Sequence, residues 1–296
     1  MSPHPHVVCV GDVMADIVAR LPGPLALGSD TPASIEVFGG GAAGNTASWL
    51  DHLGTRVTLV GRIGPADDPF RAAALGGLTP EVAQGLVTDP VHATGRCLVL
   101  VGPDGERTMV PDAGANAFLV PADLKGHFEV GRHLHLSGYP LFGRAREAGR
   151  RALTLAREAG MTISVAAASA APLARVGAAA FLDWIGPDVT LFANVDEARV
   201  LTGAGNPEAA AATLARRVRL AVVTCGSRGA IAVGRAGVAH IPTEPIEPRD
   251  TTGAGDAFAA GYLDALGRGA DTRAAVMAGH RMAASACRKL GGRPSR

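Results

Sequence analysis

Short apolar runs alternate with longer amphipathic stretches along most of the chain, and this alternation limits its fold more than any other feature. The runs end in glycine or polar residues, as buried strands do, and the stretches between them have helical spacing. Predicted strands are Val7–Val10, Val57–Gly61, His133–Leu136, Met161–Val165, Val189–Phe192, Leu220–Thr224 and Ala230–Val233, and predicted helices include Thr46–Leu53, Ala145–Ala159 and Asp271–Arg288. This order predicts a three-layer α/β/α, doubly wound fold with a mostly parallel sheet covered on both faces.

Two pairs of short strands interrupt the alternation. Asp16–Leu21 and Ser34–Phe38 are joined by a Pro/Gly-rich loop, and Arg96–Val101 and Thr108–Val110 form a predicted hairpin across Pro103-Asp104-Gly105. We expect one domain over residues 1–296, with these strands in two segments of it, 16–38 and 95–111.

The composition excludes several classes of protein. Lys and Arg total 28 and Asp and Glu total 27, so the formal charge is +1 and no basic excess favours nucleic acid. Aromatic residues make up 4%, which disfavours base-stacking surfaces. The four cysteines are scattered, and neither a signal peptide nor an apolar run long enough for a membrane span is present. We expect a cytoplasmic protein without nucleic-acid or membrane partners.

A glycine-rich turn followed by an acid is the strongest candidate site. Gly253-Ala254-Gly255 precedes Asp256, and the apolar residues after it, which include Phe258 and Tyr262, recur at helical spacing. The first N–H groups of a helix and its dipole form an anion site. The dipole is expected to keep Asp256 ionised, because it stabilises the carboxylate by about 0.3–1 kcal/mol. A carboxylate beside an anion site suits phosphoryl transfer. The alternative is an ordinary strand-to-helix turn with a favourable first-turn acid.

The longer string Asp250–Phe258 resembles the C-terminal signature of the ribokinase-like (PfkB-type) carbohydrate kinases over nine consecutive positions. In that family the aspartate at the position of Asp256 is the catalytic base, and Gly253, Ala254 and Gly255 form the anion hole. The resemblance also implies a monovalent cation, K⁺, near Asp250 and Thr252.

Two acids follow the first predicted strand, where open α/β sheets bind ligands. Asp12 and Asp16 are therefore candidate ligand contacts, unless they are solvated loop acids. The string Gly11–Asp16 is similar to the opening motif of the family, whose polar residues bind hydroxyls of a sugar or nucleoside.

The glycine-rich string that opens the first helix has two interpretations. Gly39, Gly41 and Gly44 fit a dinucleotide fingerprint, but two strands precede them and the acid expected about 20 residues later is absent. The string instead resembles the family's substrate loop, which implies that Gly40, Gly41 and Asn45 contact the acceptor. Ala42 departs from ribokinase proper, which carries lysine there.

The second half of the chain contains three further motifs. Asn194 and Glu197 fit a capping box, and they also resemble the family's Asn-x-x-Glu motif. That resemblance implies that Asn194 approaches the ATP phosphates and that Glu197 holds Mg²⁺ through water. The turn after Leu220–Thr224 is either a simple hairpin or, by resemblance, the ATP loop. The residues that the resemblance assigns to the nucleotide are Thr224, Gly226, Ser227, Gly229 and, on the last helix, His280. Ala166 stands where relatives often carry aspartate.

The resemblance implies that the four short strands form one β-lid over the acceptor. Arg107 and Asn116 then face the acceptor, unless they are exposed hairpin residues. The sequence does not decide whether the protein forms a homodimer through the lid.

The sequence as a whole predicts an ATP- and Mg²⁺-dependent kinase of a small sugar or sugar acid. A P-loop is absent. The alternatives are a nucleoside kinase on the same fold, a non-catalytic sugar- or nucleotide-sensing protein, and a dinucleotide oxidoreductase. For the nucleoside kinase, Phe38 is the one aromatic residue between Asp12 and Asn45 that could contact a base.

Overall fold

The computed structural model describes residues 6–103 and 107–295, whose strands form two sheets. The strands are β1 (Val7–Val10), β2 (Met14–Arg20), β3 (Ser34–Gly40), β4 (Val57–Ile63), β5 (Leu86–Thr88), β6 (Gly95–Val101), β7 (Arg107–Asp112), β8 (His133–Ser137), β9 (Thr162–Ala166), β10 (Thr190–Asn194), β11 (Leu220–Thr224), β12 (Ala230–Gly234) and β13 (Gly237–Ile241). The helices are α1 (Ala42–His52), α2 (Arg71–Leu75), α3 (Pro80–Ala83), α4 (Arg146–Glu158), α5 (Ala170–Val176), α6 (Ala178–Ile185), α7 (Val195–Thr202), α8 (Pro207–Leu214), α9 (Ala254–Gly267) and α10 (Thr272–Cys287).

The large sheet has nine strands in the order β13-β12-β11-β10-β9-β8-β1-β4-β5. Neighbouring strands from β11 to β5 pair in parallel, and β12 and β13 add an antiparallel edge. Side chains of β1 alternate between two cores: Val8 and Val10 pack with α4 to α8, whereas Val7 and Cys9 pack with α1, α9 and α10. The predicted α/β fold, with helices on both faces of a mostly parallel sheet, is confirmed. The described helices include none that is long and apolar enough to cross a membrane.

The small sheet has four strands in the order β3-β2-β6-β7. Strand β2 pairs with β3 in antiparallel and with β6 in parallel, from Met14 opposite Gly95 to Arg20 opposite Val101. The two predicted strand pairs therefore unite in one sheet. Of the predicted hairpin turn Pro103-Asp104-Gly105, Asp104 and Gly105 lie outside the described residues.

Helix α1 and strand β13 differ from the sequence prediction for physical reasons. Helix α1 begins at Ala42 rather than Thr46, because Asp12 accepts a hydrogen bond from the Ala42 N–H at 2.9 Å and thus caps the helix from a distant position. Strand β13 was not predicted, because it follows β12 across Arg235-Ala236, a pair without the Asn or Gly that typically marks a two-residue turn.

The two histidines of β8 are buried and hydrogen-bonded to the neighbouring strand. His133 contacts Thr162 Oγ1 at 2.7 Å and Ser164 Oγ at 2.8 Å, and His135 contacts Ser164 Oγ at 2.9 Å. Burial lowers the pKa of His133 to about 3 and that of His135 to about 4. Both rings are therefore neutral near pH 7, and their role is in the core.

This burial predicts an acid-sensitive contribution to stability. A histidine whose folded pKa is lowered stabilises the fold above its unfolded pKa of about 6.5, and this stability is lost as the pH falls below that value. Between pH 7.5 and pH 5.0, we expect the wild type to lose about 2 kcal/mol more unfolding free energy than His135→Asn, which keeps a polar group near the Ser164 hydroxyl. Urea unfolding at the two pH values measures the difference, and equal losses would contradict neutral burial of His135.

Candidate active site

A cavity of about 1070 Å³ lies beyond the carboxyl ends of several parallel strands and is bounded on one side by the small sheet. Its lining includes nearly all of the candidate site residues, namely Asp12, Asp16, Gly41, Asn45, Arg107, Asn194, Glu197, Thr224, Gly226, Ser227, Gly229, Thr252, Gly253, Ala254, Gly255, Asp256 and His280. Gly40 and Asp250 are not part of the lining. The structure thus brings together residues from both ends of the chain, from Asp12 to His280.

The start of α9 forms one wall of the cavity. Gly253 is the N-cap and has a φ of 73°, and the helix begins at Ala254. A side chain at Gly253 would be strained by this φ, and its Cβ would lie 2.6 Å from Gly292 Cα. A Cβ at Gly255 would meet open space. The first turn of α9 therefore presents backbone N–H groups at the cavity with little side-chain cover.

Asp256 lies in this first turn, and its Oδ2 accepts a hydrogen bond from Asn45 Nδ2 at 2.8 Å. Burial raises the pKa of Asp256 to about 8; Asp12 and Asp16 raise it further, whereas the Asn45 hydrogen bond and Arg107 lower it. The expectation that the helix dipole keeps Asp256 ionised is therefore wrong for this structure. A helix N-terminus stabilises a carboxylate by about 0.3–1 kcal/mol, which is less than the free-energy cost of removing this carboxylate from water.

The other two acids of the acceptor region are also buried. Asp12 accepts hydrogen bonds from the Ala42 N–H and from Ser137 Oγ, the latter at 2.8 Å. Asp16 is 3% exposed, and burial raises its pKa to about 6. Neither acid is a solvated loop residue, so that alternative is wrong.

Gly40 and Asn116 do not lie as expected. A Cβ on Gly40 would overlap the Asp16 carboxylate, so this glycine makes room for Asp16 and does not reach the cavity. Asn116 borders the cavity, but its amide exchanges two hydrogen bonds with the backbone of Val13, at 3.0 and 2.9 Å. Its polar atoms therefore fix the backbone after β1. Arg107 extends from β7 into the cavity and donates to Thr251 Oγ1.

Asn194 and Glu197 form the predicted capping box at the start of α7. Glu197 N donates to Asn194 Oδ1 at 2.9 Å, and Asn194 N donates to Glu197 Oε2 at 2.8 Å. Glu197 is 7% exposed, and burial raises its pKa. The same pair lines the cavity, and carboxylate oxygens accept more than one hydrogen bond or ligand, so capping does not exclude a second role.

The turn after β11 and the middle of α10 form the far end of the cavity. Gly226 and Gly229 have φ values of 58° and 90°, which explains glycine at both positions. His280 contacts the Ile241 carbonyl oxygen at 3.2 Å and packs edge-on against Phe258. Ala283, Ala284 and Cys287 continue this wall along α10. The result is a largely apolar surface beside a glycine-rich turn.

Comparison with known proteins decides the family. The pfkB family of carbohydrate kinases matches residues 4–296. The chain belongs to this family. It is 31% identical to ribokinase of Mus musculus over 266 residues, which cover 85% of this chain and 79% of ribokinase.

Two solved structures of this family share the fold over nearly the whole chain. Adenosine kinase from Sinorhizobium meliloti has a TM-score of 0.82 and 26% identity, covering 99% of this chain and 96% of that chain. Fructokinase from Vibrio cholerae O395, solved with fructose, ADP and a calcium ion, has a TM-score of 0.78 and 26% identity, covering 98% of this chain and 94% of that chain. The protein is thus a phosphotransferase of the sugar or nucleoside kinase type.

Two features of the pfkB site were not found from the sequence. Tyr139 and Phe142, in the turn after β8, line the cavity, and the pKa of Tyr139 is raised by burial and then by Asp12, Asp256 and Glu197. Arg293 lies behind the acceptor side of the cavity and is buried. The sequence placed no motif at either position. The pair Gly291-Gly292 before Arg293 was the available signal, because adjacent glycines often allow close backbone contact.

Proposed function

We propose that this protein transfers the γ-phosphoryl group of ATP to a hydroxyl of a small sugar or sugar acid. The observation that carries the proposal is the start of α9, where Asp256 and the N–H groups after Gly253 face the same cavity as Asp12 and Asp16. The acceptor binds between these two acids, Gly41, Asn45 and Arg107. Its reacting hydroxyl points at Asp256.

Asp256 is the proposed base, and Gly253, Ala254 and Gly255 are the proposed anion hole. The carboxylate orients the hydroxyl and takes its proton while the N–H groups bind the transferred phosphoryl oxygens. Turnover requires the ionised carboxylate, and the Asn45 hydrogen bond and the charge of Arg107 both favour that form. Positioning and charge neutralisation account for most of the rate in such reactions.

ATP is proposed to bind at the far end of the cavity. Thr224, Gly226, Ser227 and Gly229 contact the nucleotide through the turn after β11, and His280 borders the adenine together with the alanines of α10. Asn194 lies closer to the phosphates. The apolar surface along α10 suits a purine ring, and the glycine-rich turn allows close backbone approach.

Glu197 is proposed to hold Mg²⁺ through water, and Asp250 and Thr252 are proposed to hold a monovalent cation such as K⁺. The donor sets fit: Glu197 is a buried carboxylate on the cavity wall, and Thr252 Oγ1 is buried without a hydrogen-bond partner among the described residues. Asp250 is 2% exposed and accepts from the N–H groups of Thr252 and Gly291. When bound, Mg²⁺ would neutralise phosphate charge, and the monovalent cation would restrict the backbone motion of the anion hole.

If Glu197 holds Mg²⁺, a variant without its charge should need more Mg²⁺ for activity but should still fold. Glu197→Gln removes the charge and can keep the backbone hydrogen bond of the capping box, but its single amide oxygen cannot accept from both Asn194 N and Asn194 Nδ2 as the carboxylate does. We expect the Mg²⁺ concentration for half-maximal activity to rise about 10-fold or more, with the melting temperature only slightly lowered. Glu208→Gln, in the exposed first turn of α8, is the matched control. An unchanged Mg²⁺ titration would limit Glu197 to capping.

The small sheet is proposed to be the lid over the acceptor. Asp16, Cys97 and Met109 on its inner face line the cavity, whereas alternate residues point away from it. Apolar residues of this outer face, Ile35, Val37, Leu98 and Val110, are between 40% and 63% exposed. A second copy of the chain that covers this face with its own small sheet would form the proposed homodimer, and light scattering after size exclusion tests it.

A nucleoside acceptor is the second candidate, and one observation favours it. Leu119, Tyr139, Phe142 and the segment Ala166–Ala168 form an apolar wall of the same cavity, which could pack against a base. Phe38, the aromatic residue expected from the sequence, packs against the core of the small sheet and does not line the cavity.

Release of ADP with ATP and Mg²⁺ across a panel of sugars, sugar acids and nucleosides tests the proposed function. Turnover with a sugar or sugar acid supports it, and turnover with nucleosides alone selects the second candidate. Ligand-induced thermal shifts without turnover over the whole panel would favour the non-catalytic sensor instead.

A further inference from the structure

Arg293 is buried behind the acceptor side of the cavity, and its guanidinium donates to three backbone carbonyl oxygens. It is 7% exposed. Its Nη1 donates to the carbonyl oxygens of Ala74 at 2.8 Å and Gly76 at 2.5 Å, and its Nη2 donates to that of Gly40 at 2.5 Å. Burial lowers the pKa of Arg293 to about 10, so the guanidinium remains charged at neutral pH.

The glycine-rich string is shaped partly around this side chain. A Cβ at Gly39 would overlap Arg293 Nη1, and a Cβ at Gly44 would lie 2.5 Å from Nη2. A Cβ at Gly77, which has a φ of 79°, would lie 3.3 Å from Cδ of the same side chain. Two of the glycines that the sequence assigned to a substrate loop or a dinucleotide site therefore leave room for an internal arginine.

The segment around Arg293 is fixed to the site by its backbone as well. Gly292 O accepts from Trp49 Nε1 at 2.9 Å, and Gly291 N donates to Asp250 Oδ2 at 3.0 Å. Gly292 also lies directly beneath Gly253, the N-cap of α9. The position of the guanidinium relative to the start of α9 is therefore well determined.

Arg293 and Asp256 are linked through the amide of Asn45. Arg293 Nε donates to Asn45 Oδ1 at 3.4 Å, and Asn45 Nδ2 donates to Asp256 Oδ2 at 2.8 Å. A guanidinium group carries donors only, so the amide oxygen must face Arg293, and the NH₂ group is left to face Asp256. Without the arginine, the amide could rotate and present its oxygen to the carboxylate.

The guanidinium also faces a group of acids. Asp12, Asp16 and Asp256 all interact with its charge, and Asp250 adds a further negative charge near Asp16. Arg107 is the cation that faces Asp256 from the cavity side. Burial raises the pKa of Asp16, and the charge of Arg293 opposes this rise.

We propose that Arg293 is a positioning residue for phosphoryl transfer, which fixes the Asn45 amide toward Asp256 and supplies the buried positive charge that balances the acids of the acceptor site. This inference rests on the proposed function, because Asp256 is taken as the base. If the inference holds, the segment after α10 contributes Arg293 to the acceptor site.

Three variants test the inference: Arg293→Met, Arg293→Lys and the control Arg288→Met, at an exposed residue just after α10. Carbon-13 NMR of aspartate-labelled protein reports the titrations of Asp16 and Asp256, assigned with single Asp→Asn variants, and needs no turnover. Steady-state kinetics over a pH series gives kcat and KM for ATP and acceptor.

We expect Arg293→Met to raise the titration midpoint of Asp16 by about 1 pH unit, because an opposite charge is lost. We also expect it to lower kcat about 10- to 100-fold, because the base is misplaced, with KM for ATP within about twofold of the wild type. Arg293→Lys keeps the charge, so its midpoint should stay near that of the wild type while kcat falls. A folded Arg293→Met protein with the wild-type midpoint and kcat would overturn the inference.

A second measurement covers the case in which Arg293→Met does not fold. If Arg293 acts through Asn45, the effect of Arg293→Lys on kcat should disappear in an Asn45→Ala background. An undiminished effect in that background would overturn the inference. If the wild type turns over no acceptor, the proposed function fails, and the NMR titration then decides the role of Arg293 by itself.

Discussion

Replacing Asp256 by asparagine is expected to lower kcat by about 10²- to 10⁴-fold, the usual contribution of a general base. The amide cannot take the proton of the acceptor hydroxyl, but its oxygen can still accept the hydrogen bond from Asn45 that the carboxylate accepts at 2.8 Å. ATP binds at the other end of the cavity in this account, so its affinity should not change. Steady-state kinetics and calorimetric titration with ATP measure the two effects separately.

Asp67→Asn is the matched control, since Asp67 is exposed and does not line the cavity. It should retain wild-type kcat. Near-normal turnover of Asp256→Asn would remove Asp256 as the base. Equal losses of ATP affinity and turnover would instead indicate a disturbed cavity.

Placing valine at Gly255 should separate folding from activity. The Cβ of a residue at this position meets open space, so we expect the variant to fold with a melting temperature near that of the wild type. The added side chain would stand over the first N–H groups of α9, where the transferred phosphoryl group is proposed to bind. Loss of such donors costs about 10²- to 10³-fold in rate, and we expect kcat/KM to fall by at least that factor.

Gly205→Val is the control for this substitution, because Gly205 is an exposed glycine between α7 and α8 that also has open space around its Cβ. Its kinetics should match those of the wild type. A Gly255→Val protein with unchanged kcat/KM would show that the start of α9 does not hold the phosphoryl group.

Local patterns were sufficient to predict most of the large sheet and the residues around the cavity. Each strand of the α/β core is a short apolar run with a clear end, and polar residues after such runs meet at one edge of a parallel sheet. The Asn194–Glu197 capping box and the glycines at 226 and 229 could likewise be identified, because helix caps and positive φ values place strict demands on residue type.

Long-range contacts were what the sequence did not show. Asp12 caps α1 across 30 residues, and Arg293 contacts Gly40 across 253 residues, so neither contact leaves a local pattern. The glycine-rich string was assigned wholly to ligand binding, whereas Gly39, Gly40 and Gly44 accommodate Arg293 and Asp16. A glycine marks a close approach but does not tell which group approaches.

The ionisation of Asp256 could not be derived from its position in the helix alone. The helix start favours the carboxylate, but burial beside Asp12 and Asp16 raises its pKa to about 8. Asp12 and Asp16 come from one segment of the chain and Asp256 from another, so their effect on Asp256 depends on tertiary structure. Burial of the carboxyl group, which the tertiary structure produces, decides the outcome here.

A crystal structure with a non-hydrolysable ATP analogue, Mg²⁺ and the acceptor selected by the panel would test the central claim most directly. We predict that the reacting hydroxyl lies within hydrogen-bond distance of Asp256, about 2.6–3.2 Å, and that γ-phosphate oxygens accept from the N–H groups at the start of α9. A hydroxyl held by Asp12 or Asp16 instead, or a γ-phosphate away from Gly253–Gly255, would contradict the account.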